Sequence, residues 1–301
     1  MLKNVQLFLK GMAMGAADVV PGVSGGTIAF ITGIYEELIG SISNINKHTL
    51  TLLFKGEFRE LWRSVNGTFL IVLFGGIFTS ILTLASVLTY ALEHHPILTW
   101  SFFFGLVAAS VWMMGGTVRQ WSLRAVVAFA AGTLIAYAVT EMSVQSGSEA
   151  PWYLVMSGAL AICAMILPGI SGSFILLLLG SYATVLSAVA NRELWTITYV
   201  GIGAVAGLLL FSKALKFIFE RYYNITIALL SGFLLGSLNK LWPWKEVLES
   251  FVKHPGTSKE KVVALSVQNL PPDEQWPWAL LFAAFGALLV LGLEFAGKKM
   301  K

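Results

Sequence analysis

Long apolar runs separated by short polar turns cover most of the chain. A helix needs ~20 apolar residues to cross the hydrocarbon core of a bilayer, and five runs reach this length while a sixth is shorter. We place the crossings at residues 67–92, 97–118, 122–142, 194–219 and 276–297, and the shorter one at 225–242. No polar region is large enough for a soluble domain. The pattern therefore predicts one all-α polytopic membrane domain over residues 1–301.

Two further apolar regions, about 5–43 and 153–190, are interrupted in the middle by proline and glycine. The first contains PGVSGG from Pro21, and the second contains PGISGS from Pro168. Proline removes a backbone donor and clashes with the preceding turn, so the helix must stop and restart. Unpaired amides in hydrocarbon are costly, so such a restart is tolerated only inside protein or beside a wet cavity. We expect each region to form a broken, re-entrant helical hairpin.

The two broken regions belong to an internal repeat. Matched positions follow the motifs in the same order: Gly33 and Tyr35 with Gly180 and Tyr182, and Arg59–Trp62 with Arg192–Trp195. Repeat one covers about 5–142 and repeat two about 153–297, each a hairpin followed by about three transmembrane helices. Because three crossings separate two re-entrant hairpins, we expect the repeats to be inverted. Inverted repeats with discontinuous helices are typical of secondary transporters.

Charge is sparse and gathers at the ends of the apolar runs. Only 12% of residues are charged, and the net charge of +4 suits an anionic membrane face better than a nucleic acid. The loops at 93–96 and 143–151 carry no Lys or Arg, so both termini are predicted to be cytoplasmic. The 243–275 loop, which contains several lysines but is long and near charge balance, is predicted to be extracytoplasmic.

The restarted helices predict an anion site, because they offer free N–H groups, a positive dipole end and nearby hydroxyls. Two inverted tips can surround one phosphate from opposite faces. The candidate substrate-binding residues are Asp18, Pro21, Gly22, Ser24, Gly25, Gly26, Thr27, Pro168, Gly169, Ser171, Gly172 and Ser173. The alternative interpretation is that each motif marks a kinked helix that packs tightly through its small residues.

Asp18 lies where hydrocarbon is expected, and an ionised carboxylate there costs ~2.5 to 3.5 kcal/mol. It is a candidate to orient the tip, to carry a proton, to repel a second anion, or to cap the local break. Second-rank candidates follow the first hairpin or flank a cytoplasmic turn: Glu36, Glu37, Arg119 and Arg124. For these residues, interfacial and topological roles compete with phosphate binding.

Catalytic chemistry is not expected. Gly22–Gly26 fits the G-x-S-x-G pattern of hydrolases, but the second copy loses the last glycine and no histidine lies near either motif. The chain also lacks a His, Asp and Glu cluster with metal-ligand spacing, and its single cysteine, Cys163, allows no internal disulfide. We expect no catalytic residues, metal or cofactor, and the sequence leaves open coupling to a proton or a sodium gradient.

The stretch from Gly15 to Leu38, with Leu167–Phe174 later, resembles a bacterial membrane family now described as undecaprenyl-phosphate translocases. The resemblance covers most of the chain. It implies that the substrate is the C55 lipid carrier monophosphate, flipped across the cytoplasmic (inner) membrane and recycled in cell-envelope synthesis. The partners it implies are this polyprenyl-phosphate lipid and membrane lipids.

The leading hypothesis is alternating exposure of a phosphate site between the leaflets, by rocking of one repeat against the other. A secondary transporter of a small soluble anion is the main alternative, because the same tips would suit it. A lipid-modifying enzyme and a structural scaffold are the remaining alternatives. The sequence does not decide whether the protein forms a homo-oligomer.

Overall fold

A computed structural model of the protein describes residues 2–20, 23–253 and 261–299. The first half contains α1 (Leu2–Val19), α2 (Gly25–Ile31), α3 (Tyr35–Ser43), α4 (Lys47–Lys55), α5 (Phe58–Ser64), α6 (Gly67–His94), α7 (Pro96–Gly116) and α8 (Leu123–Glu141). The second half contains α9 (Pro151–Ile166), α10 (Gly172–Leu178), α11 (Tyr182–Asn191), α12 (Leu194–Leu241), β1 (Lys245–Lys253), β2 (Lys261–Asn269) and α13 (Trp276–Lys299).

The long apolar helices confirm the predicted polytopic, predominantly α-helical class. Among the described residues, α6, α7, α8 and α12 have the length and composition to cross a membrane. The predicted crossings at 194–219 and 225–242 form the single element α12, whose backbone is non-helical at Tyr222 (φ −135°, ψ 46°). The last predicted crossing corresponds to α13, which is apolar from Trp276 to Gly292.

Both hairpins stop and restart where the sequence predicts. The chain leaves α1 at Val19 and resumes as α2, and it leaves α9 at Ile166 and resumes as α10. Each short helix then ends in a turn through a glycine with positive φ, Gly33 at 70° and Gly180 at 63°, which a residue with a side chain rarely adopts. The bend between α10 and α11 is 108°. The predicted break is therefore present in both copies.

The first limb of each hairpin packs on the next long helix through the same kind of glycine contact. In the first half, Gly11 of α1 lies against the backbone of Leu73 in α6. In the second half, Gly158 of α9 lies against the backbone of Val200 in α12. In each place an added Cβ would overlap a backbone carbonyl, so only glycine allows the two helices to approach so closely.

The remaining long helices pack across the two halves. Gly105 of α7 lies against Ala283 of α13, and Gly232 of α12 lies against Phe129 of α8. In each pair, one helix belongs to the first half and the other to the second half. Both pairs contain a glycine whose added Cβ would overlap a backbone carbonyl of the partner helix. The inverted orientation of the two repeats stays a prediction.

One sequence match does not occupy equivalent places. Arg59–Trp62 lies on α5, a separate short helix, whereas Arg192–Trp195 leads directly into α12. The first half inserts α4 and α5 between its hairpin and its first long helix, and the second half has no corresponding elements among the described residues. The two copies of this match therefore lie in different local structures, and its place in the repeat stays a prediction.

The predicted 243–275 loop contains a two-stranded antiparallel sheet in addition to the helices. Lys245 of β1 faces Asn269 of β2, and a register irregularity follows Val247. The base of the sheet is held to the end of α12, because the Trp242 indole donates to the Leu270 carbonyl at 2.9 Å. The extracytoplasmic location of this segment stays a prediction.

Candidate functional site

The first break is capped by its own polar side chains. Asp18 Oδ1 accepts a hydrogen bond from the Gly25 amide at 2.7 Å, and Ser24 Oγ accepts one from the Gly26 amide at 3.1 Å. Ser24 is fully buried. Of the roles predicted for Asp18, capping is therefore visible in the structure, and the first turn of α2 has two of its amides satisfied within the hairpin.

The two breaks touch each other. The Ser24 hydroxyl lies 3.1 Å from the Met165 carbonyl and 3.2 Å from the Leu167 carbonyl, so it donates to one of them. In the opposite direction, the Gly169 amide donates to Thr27 Oγ1 at 3.0 Å. Side chains of the first hairpin thus satisfy backbone groups that the second break leaves unpaired.

A buried tyrosine, Tyr35, completes the contact between the two breaks. We call this contact the junction. It consists of Ser24, Thr27 and Tyr35 together with residues 165–169 at the end of α9. The Tyr35 hydroxyl donates to the Ile166 carbonyl at 3.1 Å. Gly26 lies so close to the same carbonyl that an added Cβ would be 2.5 Å from its oxygen. The junction therefore requires both polar partners and the absence of a side chain at position 26.

The second break is less completely capped. Ser171 precedes α10 without a side-chain capping bond, and its hydroxyl lies 2.8 Å from that of Ser173. Ser171 is buried, whereas Ser173 is exposed. Gly169 has φ 90° and is pressed against Ser237 and the α12 backbone, so this position also requires glycine.

A cavity of about 270 Å³ opens beside the two breaks. We call it the Asp18 cleft. Its polar lining comes from Asp18, Ser171 and Ser173, and its walls are apolar surfaces of α9 and α12. A cavity with a few polar groups at one end and apolar walls elsewhere suits an amphiphile with a small polar head.

A second and larger cavity, of about 700 Å³, lies where α7, α10 and the end of α12 meet the two-stranded sheet. Its charged lining residues are Lys240, Lys245 and Asp273, and we call it the lysine cavity. Burial and, to a smaller extent, the neighbouring charge of Lys240 lower the pKa of the Lys245 ammonium to about 7. Ser173 lines both this cavity and the Asp18 cleft.

The predicted site residues separate into groups. Pro21 and Gly22 lie outside the described residues. The other glycines and the serines of the two motifs, together with Asp18, Thr27 and Pro168, lie at or beside the junction. The second-rank candidates lie elsewhere: Glu37 accepts from Asn66, the Arg119 guanidinium stacks on Tyr223, and Glu36 and Arg124 are exposed. None of these four lines either cavity.

Sequence reasoning missed Lys240 and Lys245. Lys240 ends an otherwise apolar span, and Lys245 belongs to a segment interpreted as a loop of balanced charge. The signal that was available is a lysine pair flanking Trp242 and Trp244 at the end of a membrane helix. What the sequence does not show is that the strand pairing turns this segment back over the second hairpin.

Membrane-length helices around two broken hairpins that meet at a cleft define a polytopic transport protein of the membrane. The chain belongs to the undecaprenyl phosphate translocase-like (VCA0040-like) family, whose model matches residues 14–259. A polyprenyl-phosphate transporter of Vibrio cholerae is 48% identical over 99% of this chain and 98% of its own length. A polyprenyl-phosphate transporter of Staphylococcus aureus is 35% identical over 78% of this chain and 85% of its own length. No solved structure matches the chain.

Proposed function

We propose that this protein flips undecaprenyl phosphate, the C55 lipid carrier, across the cytoplasmic membrane so that it is recycled in cell-envelope synthesis. Its named relatives transport polyprenyl phosphates, and the family is described by undecaprenyl phosphate translocation. The proposed activity moves the lipid without changing its covalent structure. The phosphate head crosses the membrane next to the two broken hairpins.

The Asp18 cleft is the observation that carries this proposal. An isolated ion costs tens of kcal/mol to transfer into hydrocarbon, so a lipid phosphate needs a polar path for its head alone. The cleft offers the Ser171 and Ser173 hydroxyls beside apolar walls from α9 and α12. The head occupies the polar end, and the isoprenoid tail stays in lipid alongside the apolar walls.

We place the movement of one half against the other at the junction, where few hydrogen bonds between described residues cross. Three hydroxyl groups, on Ser24, Thr27 and Tyr35, link the first hairpin to the α9 end. Each such bond contributes only about 0.5 to 1.5 kcal/mol net, so the junction can open at a modest cost. In the proposed cycle, Ser171, Gly172 and Ser173 hold the head while the junction is closed, and the residues from Ser24 to Thr27 contact it when the junction opens.

The test is the flipping of a fluorescent polyprenyl monophosphate between the leaflets of proteoliposomes. We expect protein-dependent flipping that slows about tenfold in Ser171→Ala/Ser173→Ala, since two hydroxyl contacts to a charged head are lost. Ser187→Ala is the control, because Ser187, like Ser173, is exposed and hydrogen-bonded to one neighbour but lies outside both cavities.

Two results would contradict the proposal. Absence of flipping by the intact protein, with or without proton and sodium gradients, would remove the lipid as substrate. If the same vesicles then accumulated inorganic phosphate, the protein would be a transporter of a small soluble anion. Equal slowing in the Ser187→Ala control would show that the effect does not arise in the cleft.

A further inference from the structure

The lysine cavity is built from distant parts of the chain, including Tyr182 at the start of α11. The start of α7 contributes Trp100, α10 contributes Ser173 and Phe174, and the end of α12 contributes Lys240. The two-stranded sheet and its flanks form the remaining wall, which includes Lys245. At about 700 Å³ the cavity is within the size range of ligand sites and is larger than a phosphate group requires. It therefore has room for a polar head and part of an apolar chain.

Two ammonium groups are held in this cavity against aromatic rings. Lys240 Nζ lies 4.5 Å from the centre of the Phe174 ring, and Lys245 Nζ lies 3.7 Å from the centre of the Trp100 ring. The Lys245 ammonium also donates to the Lys240 carbonyl. Placing two like charges together away from water is unfavourable, and an anion bound between them would relieve this repulsion.

The described carboxylates nearest to this pair are hydrogen-bonded to other groups. Among the residues that the structure describes, no carboxylate lies within 4.0 Å of either ammonium. Asp273 also lines the cavity, but its Oδ1 accepts from the Trp244 indole at 2.8 Å and from the Gln275 amide at 2.9 Å. Glu141, on α8, acts on Lys240 from a greater distance and accepts from Asn239 at 2.7 Å.

Ser173 connects this cavity with the proposed path of the head. Its side chain lines the lysine cavity on one side and the Asp18 cleft on the other. The two cavities are therefore neighbours around the start of α10. A phosphate that leaves the lysines for the cleft would therefore move past the start of α10.

We infer that the lysine cavity is a loading site in which Lys240 and Lys245 capture the phosphate monoester head of a polyprenyl phosphate before it enters the Asp18 cleft. This inference rests on the proposed function. The ammonium groups bind the head by charge-assisted hydrogen bonds, and the aromatic and aliphatic walls contact the first isoprene units. With the predicted topology, the site faces the extracytoplasmic leaflet.

The first test measures binding of a fluorescent polyprenyl monophosphate to the full chain in nanodiscs. We expect Lys240→Gln/Lys245→Gln to weaken binding at least about tenfold, because two charge-assisted contacts are lost. Lys47→Gln/Lys55→Gln removes the same charge from two exposed residues of α4 and should leave binding unchanged. Lys240→Arg/Lys245→Arg keeps the charge and should retain most of the affinity.

A second measurement uses the unaltered protein, so it does not depend on the folding of a variant. An amine-reactive reagent is applied with and without each probe, and acylation of individual lysines is read by mass spectrometry. Polyprenyl monophosphate should protect Lys240 and Lys245 but not Lys47, whereas the neutral alcohol polyprenol should protect none of them. Protection by inorganic phosphate alone, with no effect of the lipid, would overturn the loading role and identify a site for free phosphate.

The outcomes separate this inference from the proposed function. If the intact protein flips the lipid and the glutamine variant binds and flips it equally well, the loading site is refuted while the translocase stands. If the intact protein neither binds nor flips the lipid, the proposed function itself fails.

Discussion

Replacing Gly26 with alanine is expected to abolish most translocation. The added Cβ would be 2.5 Å from the Ile166 carbonyl oxygen, which is backbone and cannot move aside as a flexible side chain would. Overpacking of this kind costs about 1 to 3 kcal/mol, and the upper value disfavours the closed junction roughly 100-fold. Flipping of polyprenyl monophosphate in proteoliposomes measures the effect. The loss should exceed that of removing the serine hydroxyls of the cleft.

Gly40→Ala is the matched control for this experiment. Gly40 lies on α3 of the same hairpin, and no atom lies within 4 Å of an added Cβ. Alanine there improves helix propensity by about 1 kcal/mol, so stability should be equal or higher and flipping unchanged. A Gly26→Ala protein that flips lipid at the normal rate would show that the closed junction has no part in transport.

Replacing Asp18 with asparagine is expected to remove the response to an ion gradient while leaving the fold intact. We propose that Asp18 carries the coupling proton, because it is the acidic residue of the cleft beside both breaks. Asparagine keeps a side-chain oxygen that can accept the Gly25 amide but cannot bind and release a proton. With an imposed pH gradient, the intact protein should accumulate the lipid in one leaflet, and Asp18→Asn should only equilibrate it.

Asp18→Ala tests capping separately. This change leaves the Gly25 amide without its partner, so it should lower the free energy of unfolding by about 1 to 3 kcal/mol, unlike the asparagine variant. Gradient-driven accumulation that persists in Asp18→Asn would limit Asp18 to capping. Accumulation driven by sodium instead of a pH gradient would refute the proton as the coupling ion.

Local features of the fold could be predicted from the sequence. Proline and glycine act on the backbone of their own segment, so Pro168, Gly33 and Gly180 mark the break and the turns where the structure has them. Apolar length likewise predicts α6, α7 and α8 within a few residues. These predictions hold because their physical cause lies within a few neighbouring residues.

Long-range contacts could not be predicted in the same way. That Tyr35 donates to Ile166 depends on how two distant segments pack, and no local pattern encodes it. The approach of Lys240 and Lys245 to one cavity depends on a strand pairing that short, partly charged segments do not show. The repeated letters at Arg59 and Arg192 likewise do not show that the first copy lies on a separate short helix, α5, while the second leads directly into α12.

The most direct test of the central claim is to locate the phosphate head on the protein. A polyprenyl monophosphate with a diazirine on its first isoprene unit would be crosslinked by light to the protein in nanodiscs, and the labelled peptides identified by mass spectrometry. We predict labels on the residues around Asp18, on α10 near Ser173 and beside Lys240, and weaker labelling there by the corresponding polyprenol. Labels confined to the outer faces of α8 and α13, equal for the phosphate and the alcohol, would contradict the account.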